Sequence, residues 1–208
     1  MSPARPIRRF LGGFVLAIAV LLAPWPGREE AYAKALRATG EFLFHNFGAK
    51  GLVRFRPNDE PRATRHDTKI FLAHRDQVRR DGSTNAVFVQ FHAHQTGYVP
   101  TALVVALVLA TSIPWRRRLG ALLWGLLWVH GFIVFVLGLM ILHQFALSAA
   151  LGLYQWTGLG GKVLRAIYEV FVGYGGIYFA MPVLIWIAVA FRRDDWEKIG
   201  RASYRERV

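Results

Sequence analysis

The chain has 208 residues, 54% of them hydrophobic and 19% charged, and it contains no cysteine. That absence excludes a disulfide framework, thiolate zinc sites and cysteine nucleophiles. The formal net charge is +13, yet between Gly97 and Phe191 only Arg116, Arg117, Arg118, Lys162, Arg165 and Glu169 are charged. So uneven a distribution reads as a multi-pass membrane protein rather than a soluble domain. Twelve of the 26 basic residues flank hydrophobic runs, where arginines set topology and meet anionic headgroups. No nucleic-acid motif accompanies them, so membrane lipids, and not nucleic acid, are the expected partners of this charge.

Residues 1–9 are a basic N-terminus carrying Arg8 and Arg9, followed by an apolar run over 10–25 closed by Pro24-Trp25-Pro26-Gly27. It reads as an uncleaved transmembrane anchor. The competing reading is a cleavable signal peptide, because Ala31-Tyr32-Ala33 has the small-x-small form. The stretch 26–97 reads as a small α+β segment. Tyr32, Leu36, Thr39, Leu43 and Phe47, with Ala35 and Phe42 beside them, predict an amphipathic helix from 29 to 47 that ends at Gly48. Three strands are predicted over 51–56, 68–74 and 85–94, with Pro57 to Pro61 as a breaker and Asp81-Gly82 as a turn signal.

A second apolar run covers 98–114, with Pro100 in its first turn and Pro114 at its end. Residues 115–118 form a basic turn, and 119–147 is a third run without a charge in 29 residues. Residues 148–169 read as a loop with a short interfacial helix near Trp156, and 170–191 as a fourth run kinked at Pro182. Gly173, Gly175 and Gly176 are expected to pack closely against Gly125, Gly131 and Gly138. A tail over 192–208 opens with Arg192 and Arg193. The fold expected is therefore membrane α-helical: four transmembrane helices with a small α+β segment between helices 1 and 2. Arg8, Arg9, Arg116, Arg117, Arg118, Arg192 and Arg193 all fall on one side of such a chain. Short basic flanks mark the cytoplasmic side, so both termini are expected there and 26–97 in the opposite compartment.

Histidines are the main candidates for chemistry. His92 and His94, at i and i+2 on a predicted strand, point to one face, and with His74, His66 and Asp67 adjacent they would surround a metal ion. The plainer reading is a solvated strand side, since Gln90, His92 and His94 alternate with Val89, Phe91 and Ala93. No metal and no cofactor is therefore expected. His130 lies in the middle of the third run and His143 near its far end. An ionisable group inside a membrane is a functional candidate by default, with a hydrogen bond to another helix as the simpler role. Glu169 lies at a depth similar to His143, and a His143–Glu169 contact, with Tyr168 or Tyr174 nearby, would orient the imidazole for general-base work. No nucleophile stands obviously beside it, although Ser148 follows in sequence.

The segment Gly97-Tyr98-Val99-Pro100, the run through Leu109-Ala110-Thr111, and Ile113-Pro114-Trp115-Arg116-Arg117-Arg118 resemble the exosortase H-associated membrane proteins. The resemblance implies an accessory inner-membrane component of a bacterial sorting system that processes C-terminal anchoring tails. It implies no catalytic residues here. The transpeptidase of such systems uses a membrane-embedded cysteine, which this chain lacks. The resulting expectation is a multi-pass accessory protein whose partner is another membrane protein, sortase-like, or a second copy of itself. A second reading, from a different class, is an intramembrane hydrolase or transferase with His143 and Glu169 at the outward face.

Overall fold

The structure is a computed structural model, and it describes residues 4–58, 66–77, 86–147, 151 and 158–191. The Asp81-Gly82 turn, Ser148, Trp156, Arg192 and Arg193 lie outside the described residues. In chain order the helices are α1 (Ala4–Leu22), α2 (Arg28–Phe44), α3 (Val99–Ala110), α4 (Trp115–Leu147), α5 (Gly158–Tyr168) and α6 (Ile177–Ala190). The strands are β1 (Asn46–Phe47), β2 (Gly51–Pro57), β3 (Thr68–His74) and β4 (Ala86–Phe91). Two compact units partition the chain. One comprises Met1–Ala23, Pro100–His130 and Tyr178–Val208, and the other Pro24–Val99 and Gly131–Ile177.

In the first unit apolar helices stand close together. A Cβ on Gly125 of α4 would come within 2.9 Å of Val104 on α3, and one on Gly13 of α1 within 3.7 Å of Ala110. Val104, Val108 and Val129 are fully buried. The outward faces are apolar as well: Leu11, Val15 and Leu16 of α1, and Leu123, Trp124, Leu127 and Trp128 of α4, are each more than half exposed. An apolar outer face of this extent suits hydrocarbon rather than water. Trp115–Ala146 is long and apolar enough to cross a bilayer by itself. Gly158–Gly173 and Ile177–Ala190 qualify only as a broken pair, and His94–Ala110 is a shorter apolar helix.

The sheet in the second unit is an antiparallel meander in the order β1-β2-β3-β4. Its register aligns Val53 with Leu72, Phe55 with Ile70 and Thr68 with Phe91. Alternation along the strands sends these six side chains to one buried face, onto which α2 packs. The predicted helix and the three predicted strands are present, but the helix ends at Phe44, Asn46–Phe47 form a strand instead, and the buried face of the helix differs. Ala33, Leu36 and Gly40 turn inward, while Phe42 is 86% exposed and Leu43 about half exposed. Close approach explains the rotation: a Cβ on Gly40 would meet the Phe55 ring at 2.6 Å, so only a residue without a side chain fits beneath it.

β1 is two residues long and pairs only with Leu52 and Gly51. Further along β2, the Val53 N–H donates to His45 O at 3.1 Å and the Phe55 N–H to Glu41 Oε2 at 2.8 Å. Glu41 thus extends the ladder with a side chain where a neighbouring strand is missing. Its other oxygen meets Arg54 at 2.7 Å and His45 at 3.3 Å. Partial burial works to raise the Glu41 carboxyl, but the Phe55 N–H and the Arg54 guanidinium outweigh it and hold the group below its ordinary value.

Four sequence expectations are corrected. Residues 115–118 are the first turn of α4 and not the connection before it, which is 111–114. β4 ends at Phe91, so His92 and His94 do not share a strand face. The fourth apolar run is not one helix: a π-turn at Glu169–Gly173 and a break at 174–176 divide it, and an 11-residue helix, α5, precedes the break. The glycines of that run do not pack on those of α4. A Cβ on Gly131, Gly175 or Gly176 would meet nothing within 4 Å, and Gly138 faces Phe44 of α2.

Candidate functional site

Both ends of α3 are built from the Gly-Tyr-x-Pro and Ala-Thr-x-x-Pro-Trp-Arg-Arg-Arg segments. At the N-terminal end, a π-turn at His94–Tyr98 runs directly into α3. Its first free N–H groups need acceptors, and Asp67 supplies them from the start of β3. Ala93 N–H donates to Asp67 Oδ1 at 3.0 Å and His94 N–H to Oδ2 at 3.3 Å, so a carboxylate sits at the positive end of the helix dipole. The Thr68 hydroxyl donates to the same carboxylate at 2.8 Å.

Gly97 and Tyr98 follow from what surrounds them. A Cβ on Gly97 would lie 2.7–2.8 Å from the Tyr32 hydroxyl and ring, so a side chain there displaces Tyr32. Tyr98 receives Tyr32 edge-on at 5.5 Å, His94 stacked at 5.3 Å and the Arg28 guanidinium at 4.5 Å from its ring centre. The last is a cation–π contact. Tyr98 is thereby the aromatic centre at which α2 and the His94 turn meet.

At the C-terminal end, Thr111 is the polar centre. Its hydroxyl donates to Leu107 O at 2.7 Å and accepts from Trp186 Nε1–H of α6 at 2.8 Å. Arg118 Nη2 donates to the Thr111 carbonyl at 2.9 Å, and Arg117 Nη2 donates to Ala190 O at 2.8 Å, closing the last turn of α6. Arg117 and Arg118 therefore satisfy helix-end carbonyls besides carrying charge. Sequence reading missed Trp186 and Asp67 in these roles. An indole inside an apolar run needs an acceptor, and that need was the available signal for Trp186.

The candidate metal ligands separate. His74 pairs with Gly51 at the far end of β3, about 20 Å of strand from Thr68 at 3.3 Å per residue, so it cannot join His92. His92 Nδ1 lies 3.4 Å from Asp67 Oδ2, with ring centres of His66 at 6.4 Å and His94 at 6.1 Å. His66, Asp67 and His92 line a cleft of about 580 Å³ with Glu29, Glu30 and Arg37. Among the described residues no three His, Asp or Glu side chains converge at metal-binding distances.

His130 faces outward on α4, and its Nδ1 lies 2.8 Å from Leu126 O of the same helix, which requires the Nδ1–H tautomer. The imidazole satisfies itself without a second helix. His143 is 8% exposed and stacks on Tyr168 with ring centres 3.6 Å apart and planes 7° apart. Its contact is thus with Tyr168 rather than Glu169, whose carboxylate folds back over Gly173 of its own turn. The Tyr168 phenol is the hydroxyl group that this stack brings to His143, and among the described residues the buried Nδ1 of His143 has no hydrogen-bond partner.

These features define a membrane-associated helical protein that carries a small antiparallel sheet domain. The chain belongs to the exosortase H-associated membrane protein family, whose family model matches residues 4–193. The match takes in both ends of α3 and the whole sheet domain. No curated protein and no solved structure matches the chain.

Proposed function

We propose that this protein is a four-span inner-membrane accessory component of an exosortase-type protein-sorting system and acts through protein–protein contact. The observation that carries this reading is the family match over 4–193 in a chain without cysteine, which lacks the nucleophile of a thiol transpeptidase. On this reading the spans are 10–25, 98–114, 119–147 and 170–191, the last bent at its break. Residues 1–9, 115–118 and 192–208 are cytoplasmic and 26–97 is exported, because the short flanks carry the positive excess. The partner is a sortase-like membrane protein of the same cell. Support for contact rather than chemistry comes from His143, which stacks on Tyr168 instead of pairing with Glu169.

Two experiments test the reading. Reporter fusions after Lys50 and Gln95 should behave as exported, and fusions after Arg118 and at Val208 as cytoplasmic; Arg118 on the outside would remove the topology. Affinity capture of the tagged full chain, co-expressed with the sortase-like protein of its own genome, should retain that protein through detergent washing. Failure to retain it, while the chain alone turns over a sorting-tail peptide, would favour the hydrolase or transferase reading.

A further inference from the structure

A cavity of about 280 Å³ opens beside His143, lined by Gly158, Gly161, Lys162, Leu164 and Arg165. Four observations about it point the same way. His143 is more than nine-tenths buried, lines the cavity, and has an Nδ1 without a hydrogen-bond partner. Stacking on Tyr168 fixes the plane of its ring, and in the Nδ1–H tautomer this nitrogen is a donor without an acceptor among the described residues. α5 begins at the same cavity with Gly158, at φ +72°, and the first N–H groups of a helix have no acceptor within it. Gly158 and Gly161 present no side chains, which leaves the backbone open to an anion.

Lys162 and Arg165 stand on the same side of α5 and are exposed, and among the described residues neither makes an ion pair. Glu169, one helical turn past Arg165, lies over Gly173 and remains within electrostatic reach of His143. The other side of α5 is apolar and uncovered: Leu159 is 78%, Val163 49% and Ile167 37% exposed, at i, i+4 and i+8. Such a helix lies with one face in acyl chains and its cations at headgroup level.

We propose that this cavity binds the phosphate of a phosphorylated membrane lipid. The His143 imidazole N–H, Lys162, Arg165 and the α5 N–H groups surround the phosphate oxygens, and the acyl chains run along Leu159, Val163 and Ile167. The apolar stripe beside the cations is what favours a lipid over free phosphate. The site is independent of any sorting partner.

Native mass spectrometry of the full chain in detergent micelles tests it, with dioleoyl phosphatidic acid, dioleoylglycerol and inorganic phosphate as probes. One phosphatidic acid should be retained per chain, at least about tenfold more tightly than dioleoylglycerol, since a charge-assisted hydrogen bond lost is about a tenfold change or more. The double substitution Lys162→Gln/Arg165→Gln should weaken retention about tenfold or more, and Arg165→Lys should largely preserve it. His143→Phe keeps the stack on Tyr168 and removes the donor, and it too should weaken retention. Lys162 and Arg165 lie on an exposed helix face, so their substitution reads the site even where His143→Phe does not fold. Equal retention by the double variant, or equal binding of dioleoylglycerol, would overturn the proposal. Displacement of the lipid by millimolar inorganic phosphate would overturn its lipid part.

Discussion

Replacing Thr111 by Val removes one hydroxyl and little volume, and it isolates the polar centre at the end of α3. The carbonyl that accepts from Arg118 is retained, so only two bonds disappear: the one to Leu107 O and the one from Trp186 Nε1. Leu107 O keeps the Thr111 N–H, which lies 3.2 Å away. The part-buried Trp186 N–H is orphaned, and an orphaned donor costs up to about 1–3 kcal/mol as its burial rises. Interhelical bonds within bilayers average roughly 0.6 and reach about 1.7 kcal/mol, because the unfolded helices find other partners. We therefore expect Thr111→Val to cost about 1–2 kcal/mol, measured by reversible denaturation of the full chain in mixed micelles. A double-mutant cycle with Trp186→Phe should return a coupling of roughly 0.6–1.7 kcal/mol, since each single change removes the same bond. A coupling indistinguishable from zero would refute the assignment of Thr111 as the joint between α3 and α6.

Gly97→Ala should destabilise the sheet domain by about 1–3 kcal/mol, the usual cost of overpacking, and the loss should vanish in a Tyr32→Ala background. Protease resistance of residues 28–98 reads both. Glu41 gives a pH dependence: its folded-state carboxyl lies below its ordinary value, so its stabilisation is complete above the unfolded value. That stabilisation is lost as pH falls through the folded one. Thermal unfolding between pH 7 and pH 3 should show this acid loss in the wild type and a flatter profile in Glu41→Gln. Changing Arg116, Arg117 and Arg118 together to Asn should loosen the orientation of the α3–α4 connection more than any triple change within 50–80, and it should also free the carbonyls of Thr111 and Ala190.

The strands were legible because their period-2 alternation is interrupted by Pro and Gly, and β2 and β3 fall where that alternation stands. The burial face of α2 was not legible, because Phe42 and Leu43 outweigh Ala33 and Gly40 in any reading of periodicity. Only the Phe55 ring across the interface shows why small residues turn inward. His92 and His94 continue the alternation of β4 in sequence, but Asp67 captures the N–H groups of Ala93 and His94 and starts a helix there. That competition comes from a residue 26 positions away, outside any local pattern. Gly175 and Gly176 look like packing glycines in a span, yet they lie in the break between the π-turn and α6. Of the candidate histidines, the burial of His143 was suggested by its place in an apolar run. Its stack on Tyr168 depends on where the chain resumes at α5, which the sequence between them does not reveal.

On the proposed function, this protein assists a sorting enzyme without performing the chemistry. The most direct test is cleavage of a sorting-tail substrate in proteoliposomes holding the sortase-like protein alone, this chain alone, or both. This chain alone should give no turnover, and both together should give a higher rate than the enzyme by itself. Turnover by this chain alone, abolished by His143→Ala or Glu169→Gln, would contradict the proposed function.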